Sequence, residues 1–216
     1  MMLTFLNLVA VSGILVGLIE GSSKAYREKY IGDLQISPLP NKNTIPDTDT
    51  IGNILQSLPE VYAHTPRFSQ NAILESNYNN RDVGRRREVA GGTIVGIVPS
   101  TENLITGWGS DMLEGEFLTD EDTGKIVVGK NMLARYAQVS EDVDRSLGGI
   151  YVGDKVLVEI NGVSREFELK GVLDGKTDAS RQAFITFKDV KKMLNETDNR
   201  ATEIVVRVIN KNDEVL

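Results

Sequence analysis

Residues 1–19, MMLTFLNLVAVSGILVGLI, contain no charged residue, and this run limits the fold more than any other feature of the chain. About 20 apolar residues rising 1.5 Å each cross a hydrocarbon core of roughly 30 Å as a helix. The rest of the 216 residues is a charged, globular-looking sequence with no second run of this kind. Three readings of the run compete. A cleaved signal peptide needs a basic start, a short apolar centre and a small-residue exit. Here no Lys or Arg precedes the run, and its exit reads Ile19-Glu20-Gly21-Ser22-Ser23. A buried core helix would be amphipathic, whereas this one is apolar nearly all round. A membrane span is the reading that fits.

Along that span and just past its end, Gly13, Gly17 and Gly21 make two overlapping G-x-x-x-G steps on one face. Such a face lets a second helix approach closely in lipid, and Asn7 and Ser12 can hydrogen-bond across the same contact. Against this stands the general abundance of glycine in membrane helices. The first basic residues, Lys24, Arg27 and Lys29, follow the span, although a first span is normally oriented by charges ahead of it. The expectation is a shortened N-terminus or a fragment that starts inside the helix.

Composition narrows the function. With 25% charged and 40% hydrophobic residues the body is an ordinary folded domain or two small lobes. A net charge of −7 argues against a nucleic-acid partner. No cysteine is present, so there is no disulfide framework and no thiolate metal site. His64 is the one histidine, which leaves a single base for any Ser-His-Asp set and excludes a multi-histidine metal site. No catalytic, cofactor-binding or metal-ligating residue is assigned, and the chain is read as non-enzymatic.

Local patterns divide the body. Ala25–Tyr30 prolongs the membrane helix as a short stalk, and Asp33–Ser37 is a strand stopped by Pro38 and Pro40. Asp47 is a fair N-cap for a helix carrying Ile51, Ile54, Leu55 and Leu58, closed by Pro59. Val61–Glu75 is extended with weak alternation, Asn77–Arg87 is a polar tip, and Val89–Val98 is a strand. Thr101–Leu118 is turn-rich, Ile126–Val128 is a short buried strand, and a helix starts near Asn131 with Met132, Leu133 and Tyr136. Val156–Ile160 and Val163–Leu169 form a hairpin across Asn161-Gly162, the dipeptide a type I′ turn favours. Phe184–Phe187 is a strand leading into a helix capped by Thr186, with Val190, Met193 and Leu194 on one face, and Glu203–Ile209 is a final strand. Mixed strands and helices without strict alternation give an α+β fold.

Motifs with chemistry in them are weak. Gly124–Lys130 fits G-x-x-x-x-G-K, but Asn131 replaces the Ser/Thr that holds magnesium and a strand falls inside the would-be loop. Asp122-Thr123-Gly124 resembles an aspartic-protease triplet in a solvated acidic context. Asp120-x-Asp122 and Asp142-x-Asp144 do not continue into a calcium loop. His64 is expected at the surface, Arg85-Arg86-Arg87 at a solvated loop tip rather than on lipid heads, and Trp108 as the anchor of an irregular loop rather than the wall of a groove. Asn195-Glu196-Thr197 is a glycosylation sequon, meaningful if the domain lies outside the cell.

Three passages together resemble the extracytoplasmic domain of MacB/FtsX/LolC-type ABC transporter permeases. They are GILVGLIEGSSKAYREKYIGDLQIS at Gly13–Ser37, GSDMLEGEFLTDEDTGKIVVG at Gly109–Gly129, and Val152-Gly-Asp-Lys-Val156 running through Phe167-Glu-Leu-Lys-Gly-Val-Leu173. The resemblance implies one transmembrane helix at 1–19, a helical stalk at 20–31, and a membrane-proximal βαβ lobe of 32–80 with 178–216. An inserted β-rich lobe at 88–175 interrupts that lobe. It also implies a noncatalytic domain that passes ATP-driven motion across the membrane, with a separate ABC ATPase subunit, a second permease subunit and an extracytoplasmic partner protein. Helix formers in the stalk, Ala25 and Glu28 among them, would keep it stiff. The family pattern has a cytoplasmic segment before the first span and three later spans; Asn212–Leu216 resembles the opening of one more helix. The competing class is a single-pass anchored binding or adhesion module with no ATPase partner.

Overall fold

The computed structural model describes residues 11, 14–15, 17–24, 26–79, 87–137, 146–175 and 178–209. Of the apolar run, Val11, Ile14, Leu15 and residues 17–19 are helical and exposed, and the rest of 1–19 lies outside the described residues. Among the described residues no helix is long and apolar enough to cross a membrane. The stretch Asn212–Leu216 also lies outside them.

The helical residues up to Tyr26 pass into a π-helical turn, Arg27–Ile31. Nine strands follow among the described residues: β1 (Leu34–Ile36), β2 (Val61–Glu75), β3 (Val89–Ile97), β4 (Met112–Gly115), β5 (Lys125–Gly129), β6 (Lys155–Ile160), β7 (Val163–Leu173), β8 (Gln182–Thr186) and β9 (Glu203–Val208). They join in the order β1-β9-β2-β3-β8-β5-β7-β4, with β6 pairing both β2 and β7. Pairs β3–β8 and β5–β7 are parallel and the others antiparallel. The chain is a mixed α+β protein built on this one large sheet.

Strand β2 ties the sheet together. At roughly 3.3 Å per residue it is about 50 Å long. Its first half pairs with β9, from Val61 opposite Val208 to Arg67 opposite Glu203. Its second half pairs with β3, from Phe68 opposite Gly96 onward. The change of partner falls between Arg67 and Phe68, and Thr202 stitches the gap: its hydroxyl meets the Arg67 carbonyl and accepts from the Ser69 amide at 2.9 Å.

Strands β3, β5 and β8 are covered on both faces, which is why Ile94-Val95, Val127-Val128 and Phe184-Ile185 are apolar at neighbouring positions. Ile94, Val128 and Ile185 join the larger core with Leu74, Val158 and Phe167. Val95, Val127 and Phe184 face the other way, into a cluster that holds Trp108 and Leu118. Each such side chain contributes about 1.5–3 kcal/mol by leaving water.

Among the described residues three α-helices cover the sheet. Helix α1 (Thr48–Ser57) begins at Asp47, whose carboxylate accepts from the Thr50 amide at 3.3 Å and hydroxyl at 2.7 Å. It packs Ile51 and Leu55 on Ile204 and Val206. Helix α2 (Pro99–Thr106) corrects the turn-rich expectation for this stretch. Proline fits the first helical position because it lacks only an amide hydrogen that would be orphaned there anyway. The helix ends at Gly107. Helix α3 (Phe187–Leu194) starts at the expected Thr186 cap and buries Val190 and Met193.

The helix expected near Asn131 is a second correction. It is two 3₁₀ turns, Lys130–Met132 and Ala134–Tyr136, broken at Leu133. Leu133 is extended because the chain pairs there with Leu147: the Leu147 amide donates to the Met132 carbonyl at 2.8 Å and the Ala134 amide to the Leu147 carbonyl at 2.9 Å. A tertiary backbone pairing thus overrides the local helical pattern. The hairpin is as expected, with Asn161 at φ 51° and Gly162 at φ 80°, and Ile160 opposite Val163.

Candidate functional site

The N-terminal helical segment, through its π-turn, enters the rest of the chain at a buried polar joint. A helix end leaves its last carbonyls without intrahelical partners. Here two of them are taken by side chains far away in sequence. The Trp108 indole Nε1–H donates to the Lys29 carbonyl at 2.8 Å, and the Arg67 Nη2–H donates to the Tyr30 carbonyl at 2.6 Å. Both donors are buried, at 1% exposure each.

Arg67 is the hub. Its Nη2 and Nε grip Glu102 of α2 at 2.6 and 3.0 Å, and its Nη1 reaches Glu203 of β9 at 3.2 Å. Its guanidinium lies 5.0 Å from the Tyr30 ring centre and 5.4 Å from that of Trp108. Burial works against its charge, but the carboxylates of Glu102 and Glu203 outweigh burial and hold the group more firmly protonated than a free arginine. A planar fork suits this two-oxygen grip in a way a lysine ammonium does not.

Aromatic packing closes the joint. The Trp108 ring lies 4.6 Å from Phe184, 6.4 Å from Phe117 and 6.1 Å from Tyr30. The Tyr30 hydroxyl meets the Gln182 amide group of β8 at 2.7–3.0 Å. Burial drives its acidity down, with the pKa pushed up to about 12. Outer contacts are wetter: Lys29 pairs with Asp111 at 2.9 Å and Arg27 with Asp33 at 3.5 Å.

Gly32 then turns the chain into β1. It sits at φ 66°, ψ −149°, a region essentially reserved for glycine. A Cβ there would lie 2.6 Å from the Val206 carbonyl oxygen. The Asp33 amide donates to that same oxygen at 2.9 Å, and the Val208 amide donates to the Asp33 carboxylate at 3.0 Å.

The residues singled out from sequence are not the ones that meet the body. Gly17 and Gly21 are helical and exposed, and a methyl added at either would touch nothing within 4 Å. Gly13 and Ala25 lie outside the described residues, and Glu28 contributes its backbone to the π-turn. Trp108 is buried, as an anchor should be, and its hydrogen-bond partner is the Lys29 carbonyl of the π-turn. Arg67, Glu102, Tyr30 and Gly32 were not legible as a site. A hint existed in β2, where Ala63 and Thr65 are buried at alternate positions and a lone arginine follows in phase.

Other candidates resolve simply. Ile126–Val128 is strand β5, inside the would-be phosphate loop. Asp122 is held by Lys170 at 2.6 Å and by the Thr119 amide at 2.8 Å; burial opposes its charge, and these bonds win, so its acidity increases. Asp120 accepts from the Ser100 amide at 3.0 Å, while Asp142 and Asp144 lie outside the described residues. Arg87 pairs with Glu75 at 2.5 Å, and Arg85 and Arg86 lie outside the described residues. His64 is half-buried rather than at the open surface; it lines a groove of about 280 Å³ with Thr48, Asp49, Gly52 and Asn53, and burial lowers its pKa. Asn195 is exposed at the left-handed C-cap of α3.

Comparison with known proteins gives this joint its context. The profile of the MacB-like periplasmic core domain family matches residues 6–215. The extracellular domain of the noncanonic ABC-type transporter YknZ from Gram-positive bacteria has a similar structure, with 16% identity, TM-score 0.55, and 83% of this chain and 86% of that one covered. The periplasmic region of MacB from Actinobacillus actinomycetemcomitans is similar at 18% identity and TM-score 0.52, over 81% of this chain and 71% of that one. No curated protein matches the chain. A match over nearly the whole sequence, on a fold shared with both structures, shows that the chain belongs to the family of MacB-like periplasmic core domains, the extracytoplasmic domains of ABC transporter permeases.

Proposed function

We propose that this chain carries ATP-driven motion from a membrane helix to the outside as the extracytoplasmic part of a permease subunit. The single observation behind this reading is the direct joint: only Gly32 and Asp33 separate the π-turn from β1, and the turn is fastened by buried side chains of the body. A rigid entry suits transmission, whereas a mere tether needs none. In this reading residues 1–19 form the single span and 20–31 the stalk. Gly13, Gly17 and Gly21 pack on a neighbouring helix. A separate ABC ATPase and a second permease subunit complete the machine, and an extracytoplasmic partner protein receives the movement, with no catalysis in this domain. The lobes are 32–80 with 178–216, and 88–175, as the resemblance implies. The output is export, lipoprotein extraction or hydrolase activation.

The test uses the permease assembled with its ATPase in a membrane. Each glycine placed in a helix weakens it by about 1 kcal/mol and adds backbone freedom. Replacing Ala25→Gly and Glu28→Gly together should leave ATP turnover within about twofold while the work done per ATP falls. Unchanged work per ATP would favour the anchored binding module instead.

A further inference from the structure

We propose that Trp108 and Arg67 are the positioning residues through which stalk movement enters the body, each by holding one carbonyl of the π-turn. The proposal rests on the transmission reading and adds to it the place of hand-over.

Three observations converge. First, the two bonds join residues that are 79 and 37 positions apart, so they hold the stalk to elements it does not adjoin in sequence. Second, both donor side chains are shielded from water, which lessens solvent competition for their bonds, and a bond from a charged donor is the stronger kind. The pairs nearer the surface, Lys29–Asp111 and Arg27–Asp33, have side chains 27–57% exposed and contribute little rigidity. Third, both donors lead to the same lever. Trp108 follows α2 directly across Gly107, and Arg67 is gripped by Glu102 within α2. A pull on the stalk therefore reaches α2 through two bonds, and through Arg67 it reaches β2 at its change of partner and β9 at Glu203.

The π-turn fits this role. Wide helical turns are often placed at functional sites, and its carbonyls here are occupied by side-chain donors. Movement can then be passed on by keeping the two bonds, or lost by opening them.

The variant Trp108→Phe keeps an aromatic ring in the pocket and removes the Nε1–H donor. In the assembled permease it should cut work per ATP at least threefold with ATP turnover by the separate ATPase subunit unchanged. Restoring the fastening by another route should restore the work. These 216 residues contain no cysteine, so Lys29→Cys and Asp111→Cys can be joined by a short bismaleimide in a permease whose other cysteines, where present, are replaced by serine. Joining them in the Trp108→Phe protein should recover most of the lost work. If Trp108→Phe works at the wild-type level while the Ala25→Gly, Glu28→Gly protein does not, the hand-over at Trp108 is wrong and transmission stands. If neither loses work per ATP, transmission itself fails. A Trp108→Phe protein that loses work and is not rescued by the cross-link has lost packing rather than a fastening, which also overturns the proposal.

Discussion

Arg67 and Arg135 keep nearly the same company in two different regions. Each grips one glutamate with two nitrogens: Glu102 at 2.6 and 3.0 Å, Glu114 at 2.7 and 2.9 Å. Each donates to one backbone carbonyl, of Tyr30 at 2.6 Å and of Ile150 at 2.5 Å. Each lies beside two aromatic rings, Tyr30 and Trp108 in one case, Tyr136 and Tyr151 in the other. What differs is water. The Arg67 and Glu102 side chains are 1% and 0% exposed, those of Arg135 and Glu114 26% and 27%. One geometry therefore makes two devices: a buried joint at the π-turn, and a part-exposed clasp around Arg135. In the first, a lost partner leaves a buried charge stranded. In the second, water and ions take the partner's place.

The largest expected effect breaks the inner cluster. Arg67→Met should cost about 3–5 kcal/mol, because Glu102 is left charged and dry. The double variant Arg67→Met, Glu102→Leu should recover much of that loss, since the penalty comes from the uncompensated charge. Urea unfolding of the purified chain in detergent measures both, and a single variant as mild as its Arg135 counterpart would erase the distinction drawn here.

Next comes the alkaline limb. Tyr30 is pushed up to about 12 in the folded protein, against 10.0 for a free tyrosine. Between those values the unfolded chain has lost a proton the folded one keeps, so stability falls as pH rises from 10 towards 12, by on the order of 2 kcal/mol. Tyr30→Phe should flatten that fall relative to wild type when urea midpoints are compared across the range.

Arg135→Met should cost about 0.5–1 kcal/mol, and the cost should shrink in 1 M salt. The cost of Arg67→Met should hold steady under the same salt, so the pair of measurements sharpens the contrast more than either alone.

The smallest effect is acidic. The Arg135 hydrogen bond, despite some burial, holds the Glu114 carboxyl below its ordinary value of 4.5. The stability this supplies is present above pH 4.5 and is lost as pH falls through the lowered value. Thermal melts of wild type and Glu114→Gln should converge there; curves that stay parallel would remove Glu114 from the account.

What the sequence alone determined follows from short range. Caps, turn dipeptides and apolar spacing act within a few residues, so Asp47, Thr186 and Asn161-Gly162 marked their elements correctly. The order of three loose motifs was enough to indicate the family. Tertiary structure decided the rest. Leu133 is extended because Leu147 pairs with it, although Met132, Leu133 and Tyr136 are spaced for a helix. Pro99 and Gly107 carry the start and stop signals of α2, but only Leu104 and Ile105 between them are apolar, too few for a helical stripe; its Glu102 is buried because Arg67 awaits it from another strand. The joint gathers Tyr30, Arg67, Glu102, Trp108, Gln182 and Glu203 from across the chain. No local pattern encodes such a meeting. A buried charge is tolerable only where a distant partner arrives to neutralise it, and that arrival is a property of the folded sheet.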